Sequence, residues 1–203
     1  MKLIIGTQEE VIKKAAQRYV KLLNEKPEAV LGLATGSTPL GLYAELAKLC
    51  AEGKLSFAKC TTFNLDEYIG LDGTHDQSYR YFMNNNLFDH VNIDKANTHV
   101  PNGHAGDLEE EAVRYESFIQ SLGGIDLQLL GIGHNGHIGF NEPTDIFPAT
   151  VHTVQLTEST INANSRLFER REDVPTQAIT MGIGTIMAAR SVLVAVSYTH
   201  LTL

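Results

Sequence analysis

The chain has 203 residues, of which 43% are hydrophobic and 20% charged, a balance typical of one globular domain. It carries 24 acidic and 16 basic side chains, for a formal net charge of −8. An acidic surface repels the phosphate backbone of a nucleic acid, so we expect no nucleic-acid partner.

Hydrophobic spacing predicts strands and helices that alternate along the chain. A short strand is predicted at residues 2–5, and an amphipathic helix follows at residues 8–24, where Thr7 and Glu10 form a capping-box pattern. Further strands are predicted at residues 29–34, 60–65, 125–130, 150–156, 178–181 and 191–196. Further helices are predicted at residues 39–52, 77–88 and 108–122.

This alternation predicts an α/β fold with an open, mostly parallel sheet and helices on both faces. Parallel strands need crossover connections, and the intervening helices supply them. No linker or repeat divides the chain, so we expect a single domain over residues 1–196. Ligands of such sheets bind outside the carboxyl ends of the strands, and functional side chains should therefore directly follow strands.

The first such segment follows the predicted strand at residues 29–34 and begins a helix. Its backbone N–H groups and hydroxyls at a helix start suit a phosphate, although an ordinary capped turn is equally compatible with the pattern. The segment matches neither a Walker A loop nor a dinucleotide-binding glycine pattern. It consists of Thr35, Gly36, Ser37, Thr38 and Pro39.

The second segment places two carboxylates, Asp66 and Glu67, at the end of an apolar strand. Partial burial there would raise a carboxyl pKa, and such a carboxylate can remove a proton next to a carbonyl group. The alternative is a solvated turn that carries two acids.

The third segment, residues 129–143, is a strand that opens into a glycine-rich loop with several polar side chains. A histidine held there by an amide or a carboxylate can transfer protons near neutral pH. His134 and His137 lie three residues apart, which raises the alternative of a zinc site. No cysteine is nearby and the glycines give the imidazoles no fixed face, so we expect no metal.

The fourth segment, N-A-N-S-R-L at residues 162–167, contains Arg166. A guanidinium group can bind a phosphate through two parallel hydrogen bonds. A surface arginine that pairs with one of the many acids would look the same in the sequence.

In this order, the four segments resemble the glucosamine-6-phosphate deaminase family, over almost the whole chain to about residue 196. The resemblance implies conversion of glucosamine 6-phosphate to fructose 6-phosphate and ammonia, with no metal or organic cofactor, by a monomer or a homo-oligomer. The third segment also separates deaminases from the related 6-phosphogluconolactonases. The motifs are T-G-S-T-P at 35–39, F-N-L-D-E-Y at 63–68, G-H-I-G-F-N-E-P at 136–143 and N-S-R at 164–166.

The resemblance also implies a role for each matching residue. Asp66 matches the base that moves a proton between C2 and C1 of the open-chain sugar, and His137 matches the group that opens the sugar ring. Glu142 and Asn135 match the groups that orient this histidine. Asn135 stands where many members have aspartate, so we expect weaker charge support for His137. The implied phosphate cradle is Thr35, Gly36, Ser37, Thr38 and Arg166.

Two features of the sequence bear on location and completeness. Cys50 and Cys60 form no C-x-x-C pair, and no apolar run approaches the roughly 18 residues of a membrane span, so we expect a cytoplasmic protein without a membrane partner. Residues 197–203 lack the glycine and the lysine of the family pattern. We therefore expect a C-terminally truncated chain with a non-family tail, weaker phosphate binding and reduced stability.

Two other functions stay open at this stage. The first is a related sugar-phosphate isomerase or lactonase, and a lactonase would need no base at C2. The second is a non-catalytic regulator that binds a sugar phosphate.

Overall fold

The structure, a computed structural model, describes residues 2–133 and 135–196. His134 and the predicted non-family tail at residues 197–203 lie outside the described residues. The strands are β1 (Val30–Leu33), β2 (Thr61–Asn64), β3 (Asp66–Tyr68), β4 (Thr98–His99), β5 (Leu127–Leu130), β6 (His152–Gln155), β7 (Gln177–Thr180) and β8 (Val192–Val194). The α-helices are α1 (Gln8–Glu25), α2 (Leu40–Ala51), α3 (Tyr79–Asn86), α4 (Leu108–Ser121), α5 (Glu158–Asn164) and α6 (Ile183–Met187).

Five strands form a parallel sheet in the order β4-β2-β1-β5-β8. Every residue of β1 and of β5 is buried, as expected for central strands of a parallel sheet that is covered on both faces. The predicted α/β fold with a mostly parallel sheet is therefore confirmed.

The other three strands form a small antiparallel sheet in the order β3-β7-β6, which the sequence did not predict. Leu65 joins the two sheets, because its N–H donates to the Leu33 carbonyl at 3.1 Å and its own carbonyl accepts from the N–H of Met181 at 2.7 Å. The chain thus leaves the parallel sheet after β2 and enters the second sheet at Asp66.

The amino-terminal segment differs from the prediction. Residues 2–7 form no strand, and Leu3 and Ile5 are 76% and 87% exposed, so the predicted strand at residues 2–5 is wrong. An apolar run this short needs a neighbouring strand to pair with, and it has none among the described residues. The capping box at the start of α1 is confirmed, because Thr7 N–H donates to the Glu10 carboxylate at 2.8 Å and Glu10 N–H donates to the Thr7 hydroxyl.

None of the helices in residues 2–133 and 135–196 is both long and apolar enough to cross a membrane.

A buried carboxylate fastens the amino-terminal edge of the parallel sheet. Asp126, directly before β5, is 5% exposed and accepts hydrogen bonds from Lys26 Nζ, from Arg190 Nη1 and from the N–H of Val30. Burial raises its pKa, but the bonds from Lys26 and Val30 outweigh burial, so the pKa lies below its usual value. The side chain therefore joins the end of α1, the start of β1 and the segment before β8.

We expect Asp126→Asn to lower the free energy of unfolding by about 2 kcal/mol at pH 7, because the buried N–H of Val30 and two cationic side chains lose a charged acceptor. A depressed native pKa stabilises the fold above the pKa of the unfolded chain, and this contribution is lost as the pH falls through the native pKa. The difference between variant and parent should therefore shrink below about pH 4. Urea denaturation at pH 7 and pH 3.5 measures both values.

The control is Glu9→Gln, which removes an exposed partner of Lys13 within one helix. Solvent screens such an exposed pair, so it contributes little to stability. Equal effects of the two substitutions would contradict the role given to Asp126.

Candidate active site

The segment predicted to bind phosphate connects β1 to α2. Gly36 has a φ of +101°, a left-handed conformation that favours glycine, and both Gly36 and Ser37 are exposed. The helix begins at Leu40, one residue later than predicted, and Pro39 occupies the cap position without a side-chain hydrogen bond. Pro39 thus gives no side-chain hydrogen bond to the first turn of α2, and the backbone N–H groups at the amino terminus of a helix suit an anion.

The neighbouring strand carries the candidate base to the same edge of the sheet. Leu33 of β1 lies opposite Asn64 of β2, so residues 35–38 and Asp66 each follow the carboxyl end of one of two paired strands. The two predicted site segments therefore lie at the same edge of the sheet, and their functional role stays a prediction.

Asp66 is 5% exposed, and its carboxylate accepts no hydrogen bond from the described residues. A Cβ atom added to Gly139 would lie 3.2 Å from Asp66 Oδ2, so the glycine-rich loop packs directly against the carboxylate. Burial, together with the negative charge of Glu67, raises the pKa of Asp66 to about 8. The side chain can therefore exchange a proton close to neutral pH.

Glu67 is 2% exposed and has a different role from its neighbour. Its carboxylate accepts hydrogen bonds from the N–H groups of Tyr79 at 2.8 Å and Arg80 at 3.0 Å, which begin α3, and from Tyr68 N–H at 2.9 Å. Burial raises its pKa to about 6 in spite of these bonds. Glu67 is thus the acceptor at the start of a helix, and it supplies a fixed charge beside Asp66.

Three predicted residues form one hydrogen-bonded relay. His137 Nδ1 lies 2.7 Å from Asn135 Oδ1, and Asn135 Nδ2 donates to Glu142 Oε2. The amide oxygen can only accept, so Nδ1 carries the hydrogen and, in the neutral imidazole, Nε2 carries the lone pair. The side chains of His137 and Glu142 are 28% and 18% exposed, so the relay lies near the surface and its imidazole is accessible.

Glycines let this loop fold tightly around the imidazole. The N–H of Gly133 donates to the His137 carbonyl at 2.8 Å, and a Cβ atom on Gly133 would come within 2.2 Å of His137 Cε1. Gly136 and Gly139 adopt φ values of +88° and +61°. Gly133 and Gly139 thus make room for the protein's own His137 and Asp66 side chains.

The second oxygen of Glu142 is bound by residues that the sequence did not indicate. Thr160 donates its hydroxyl hydrogen to Glu142 Oε1, and the Thr157 hydroxyl lies 3.2 Å from the same oxygen. Burial raises the pKa of Glu142, but the bonds from Thr160 and Asn135 and the nearby His137 outweigh it, so the pKa lies below its usual value. Glu142 is therefore a fixed anion behind the histidine.

Arg166 follows α5 and is exposed. Two residues before it, Asn164 Nδ2 donates to the hydroxyl of Tyr68 at 2.8 Å, which fastens this segment to β3 beside Asp66. In the part of the chain that the structure describes, no hydrogen bond joins Arg166 to Gly36 or Ser37. The structure thus connects the arginine to the base side of the site, and a shared phosphate contact stays a prediction.

No group of three or more His, Cys, Asp or Glu side chains within residues 2–133 and 135–196 is arranged to hold a metal ion. His134, the second histidine of the zinc alternative, lies outside these residues.

Comparison with known proteins gives one family. Residues 6–200 match the model of the glucosamine-6-phosphate isomerases/6-phosphogluconolactonase family. A glucosamine-6-phosphate deaminase of Clostridium perfringens strain 13 is 57% identical over 97% of this chain and 82% of its own length. One of Thermoanaerobacter sp. strain X514 is 56% identical over 97% of this chain and 78% of its own length. The chain thus spans about four fifths of these relatives.

Solved structures agree with the sequence comparison. A monomeric glucosamine-6-phosphate deaminase superimposes with a TM-score of 0.92 at 47% identity, over 96% of this chain and 81% of the other. A 6-phosphogluconolactonase of Thermotoga maritima superimposes with a TM-score of 0.71 at 25% identity, over 95% of this chain and 80% of the other. Similarity is therefore greater to the deaminase than to the lactonase.

We expect Asp66→Asn to stabilise the protein in mildly alkaline solution. The pKa of Asp66 is raised in the folded state, so the native protein binds more protons than the unfolded chain between about pH 4 and pH 8, and stability falls across this window. Asparagine has no charge to bury. Thermal melting at pH 5 and pH 8.5 should show a gain in melting temperature that increases with pH.

Asp76→Asn is the matched control, because Asp76 is an exposed carboxylate on the connection that follows β3. It should change the melting temperature little at either pH. A loss of stability in Asp66→Asn at pH 8.5 would contradict the burial argument.

Proposed function

We propose that this protein converts glucosamine 6-phosphate and water to fructose 6-phosphate and ammonia. The chain belongs to the family of glucosamine-6-phosphate isomerases and 6-phosphogluconolactonases, and its deaminase relatives match it over almost its whole length. The reaction places it in the breakdown of amino sugars. The proposed site is Asp66, the relay of Asn135, His137 and Glu142, and the phosphate-binding residues Thr35, Gly36, Ser37, Thr38 and Arg166.

One observation carries this proposal. A buried carboxylate with a pKa raised to about 8 packs against the same loop that presents an oriented imidazole. Interconversion of an aldose and a ketose needs a base at C2 and C1, and opening of the sugar ring needs a second acid–base group. Asp66 and His137 supply one group for each task.

Ring opening is assigned to His137. Nε2 takes the proton of the hydroxyl at C1 and returns a proton to the ring oxygen as the bond between C1 and that oxygen breaks. The open-chain aldehyde results, with no net change in protons on the enzyme. The Glu142 anion, through Asn135, stabilises the imidazolium that exists between the two transfers. Because Asn135 is neutral, we expect this support to be weaker than an aspartate would give.

Proton transfer between carbons is assigned to Asp66. The carboxylate removes the proton at C2 while the aldehyde oxygen takes a proton from the ammonium group of the substrate, which gives a neutral enol with the amine still on C2. The carboxyl group then delivers the proton that it took from C2 to C1. The product is an imine at C2, and addition of water followed by loss of ammonia gives the ketone. An ammonium group of the bound substrate would lower the pKa of Asp66 and favour the ionised base. These steps transfer protons, add water and release ammonia without a change in the oxidation state of any enzyme group, so they need neither a metal nor an organic cofactor.

The phosphate does not react, and its binding energy can hold the sugar in register for both proton transfers. We assign it to the amino terminus of α2, with the backbone and hydroxyls of residues 35–38, and to the guanidinium group of Arg166. We further propose that one domain, residues 1–196, carries this activity in the cytoplasm, with a sugar phosphate as its ligand rather than a nucleic acid or a membrane.

We expect the protein to release ammonia from glucosamine 6-phosphate, and Asp66→Asn to reduce kcat by at least about 10³-fold because the base is lost. In the parent, kcat/KM should rise with pH through about 8, since the free enzyme must lose the Asp66 proton before it can act as a base. A coupled ammonia assay between pH 6 and pH 9 measures both.

A parallel assay with 6-phosphogluconolactone tests the alternative reaction. Ester hydrolysis needs no base at C2, so a lactonase would keep its activity in Asp66→Asn. Lactone hydrolysis that survives the substitution, without ammonia release by the parent, would overturn the deaminase assignment.

We expect Arg166→Gln to lower kcat/KM for glucosamine 6-phosphate about 10- to 100-fold, mainly by raising KM, because a contact to the phosphate is kept in the transition state. Arg166→Lys should retain part of the affinity as a point charge. Arg170→Gln, which removes an exposed arginine paired with Asp173, is the control and should behave like the parent.

Unphosphorylated glucosamine adds a second control. Any turnover of glucosamine should be equal in the parent and in Arg166→Gln, because a sugar without a phosphate cannot make the contact that the substitution removes. An equal loss with both sugars would show that Arg166 acts on the fold rather than on the phosphate.

A further inference from the structure

The short helix α5 contacts both halves of the candidate site. At its start, Thr157 and Thr160 lie against Glu142 Oε1, and at its end Asn164 donates to Tyr68. Among the described residues, Thr157 and Thr160 are the residues outside the loop of residues 133–142 whose side chains hydrogen-bond to the histidine relay. These hydrogen bonds can therefore affect the orientation of His137, and they do not involve the substrate.

Glu142 has both of its oxygens engaged, and each engages a different partner. Oε2 accepts from Asn135 Nδ2, whose amide oxygen faces His137, and Oε1 accepts from Thr160. A carboxylate held through one oxygen can rotate about its terminal bond, whereas one held through both cannot do so without breaking a hydrogen bond. The orientation of the amide, and through it the imidazole, thus depends on the bond to Oε1.

Thr160 is the better-placed of the two threonines for this purpose. It is 7% exposed, so water cannot readily replace its hydroxyl, whereas Thr157 is exposed and also accepts the Thr160 N–H as the cap of α5. The two hydroxyls lie 3.1 Å apart, so Thr157 can supply a hydrogen bond to the hydroxyl of Thr160. Substitution of Thr160 by valine would leave the cap side chain of Thr157 in place.

We propose that Thr160 is a positioning residue for the proton-transfer step of His137, and that it acts through Glu142 and Asn135 without touching the substrate. The proposal deepens the proposed function and rests on it, because it takes His137 as the ring-opening group. The hydroxyl fixes Glu142, Glu142 fixes the amide of Asn135, and the amide oxygen fixes Nδ1–H of the imidazole. Nε2 is then held in the direction of the sugar.

Electrostatics gives this arrangement a measurable signature. Among the described residues, His137 is the titratable group that faces Glu142, and Asn135, Thr157 and Thr160 are its uncharged neighbours. A hydrogen bond donated to a carboxylate favours its ionised form. Loss of the Thr160 hydroxyl should therefore move the Glu142 titration to higher pH, although the residue never meets the substrate.

The experiment compares Thr160→Val, which keeps the shape but removes the hydroxyl, with Thr160→Ser, which keeps the hydroxyl. We expect kcat for glucosamine 6-phosphate to fall about 10-fold in Thr160→Val, because a hydrogen bond to a charged group is lost, while KM changes less than about twofold. Thr160→Ser should recover most of kcat. The Glu142 carboxyl, followed by carbon-13 NMR and assigned with Glu142→Gln, should titrate at higher pH only in the valine variant.

Thr185→Val is the matched control. Thr185 of α6 is also a buried threonine, 8% exposed, that donates to a glutamate carboxylate, Glu116 Oε2, at 2.6 Å. It lies outside the relay, so this variant should lose stability similarly but keep both kcat and the Glu142 titration. A Glu142 titration unchanged in Thr160→Val, or an equal loss of kcat in Thr185→Val, would overturn the proposal.

Two separate measurements distinguish a failure of the proposed function from a failure of the role given to Thr160. If the parent released no ammonia, the deaminase assignment would be wrong. The Glu142 carboxyl titration and the His137 imidazole resonances, measured without substrate, would still decide whether Thr160 holds the relay.

Discussion

The division of the Glu142 carboxylate between two parts of the chain is the constraint on which the site geometry depends. One oxygen binds Asn135 within the glycine-rich loop, and the other binds Thr160 of α5. A loop with glycines at positive φ has many accessible conformations, and backbone hydrogen bonds alone would leave its histidine poorly defined. The bond to a helix outside the loop supplies the missing constraint, because α5 is fastened independently at its far end to Tyr68.

Asp66 and Glu142 show how one site holds two carboxylates in different protonation regimes. Asp66 is buried without a hydrogen-bond donor among the described residues and lies beside the negative Glu67, so its pKa is raised to about 8. Glu142 is partly exposed and accepts bonds from Thr160 and Asn135, so its pKa is lowered. The environment alone thus gives the two carboxyl groups different pKa values. Asp66 can gain and lose a proton, and Glu142 stays charged.

The sequence predicted the parallel sheet and most of its helices because long periodic runs, such as those of α1 and α4, carry a clear signal. It did not predict the antiparallel sheet, whose central pairing joins Asp66 to Thr180 across more than a hundred residues and involves a strand of three residues. It also missed α5, because a seven-residue helix rich in serine, threonine and asparagine has weak intrinsic propensity. The polar loop residues were found, since glycines and polar side chains are concentrated there.

The sequence could not indicate the hydrogen bonds by which α5 connects the histidine relay to β3. Thr160 lies eighteen residues from Glu142 and Asn164 ninety-six residues from Tyr68. Each pair joins two different elements, so periodicity within one element cannot reveal the contact. Yet the same short helix holds the histidine relay at one end and leads at the other into Arg166. In the proposed function, phosphate contacts at Arg166 would therefore bear on an element that also positions His137. Binding energy from the unreactive end of the sugar would then reach the ring-opening group through hydrogen bonds and one turn of helix, without contact between phosphate and imidazole.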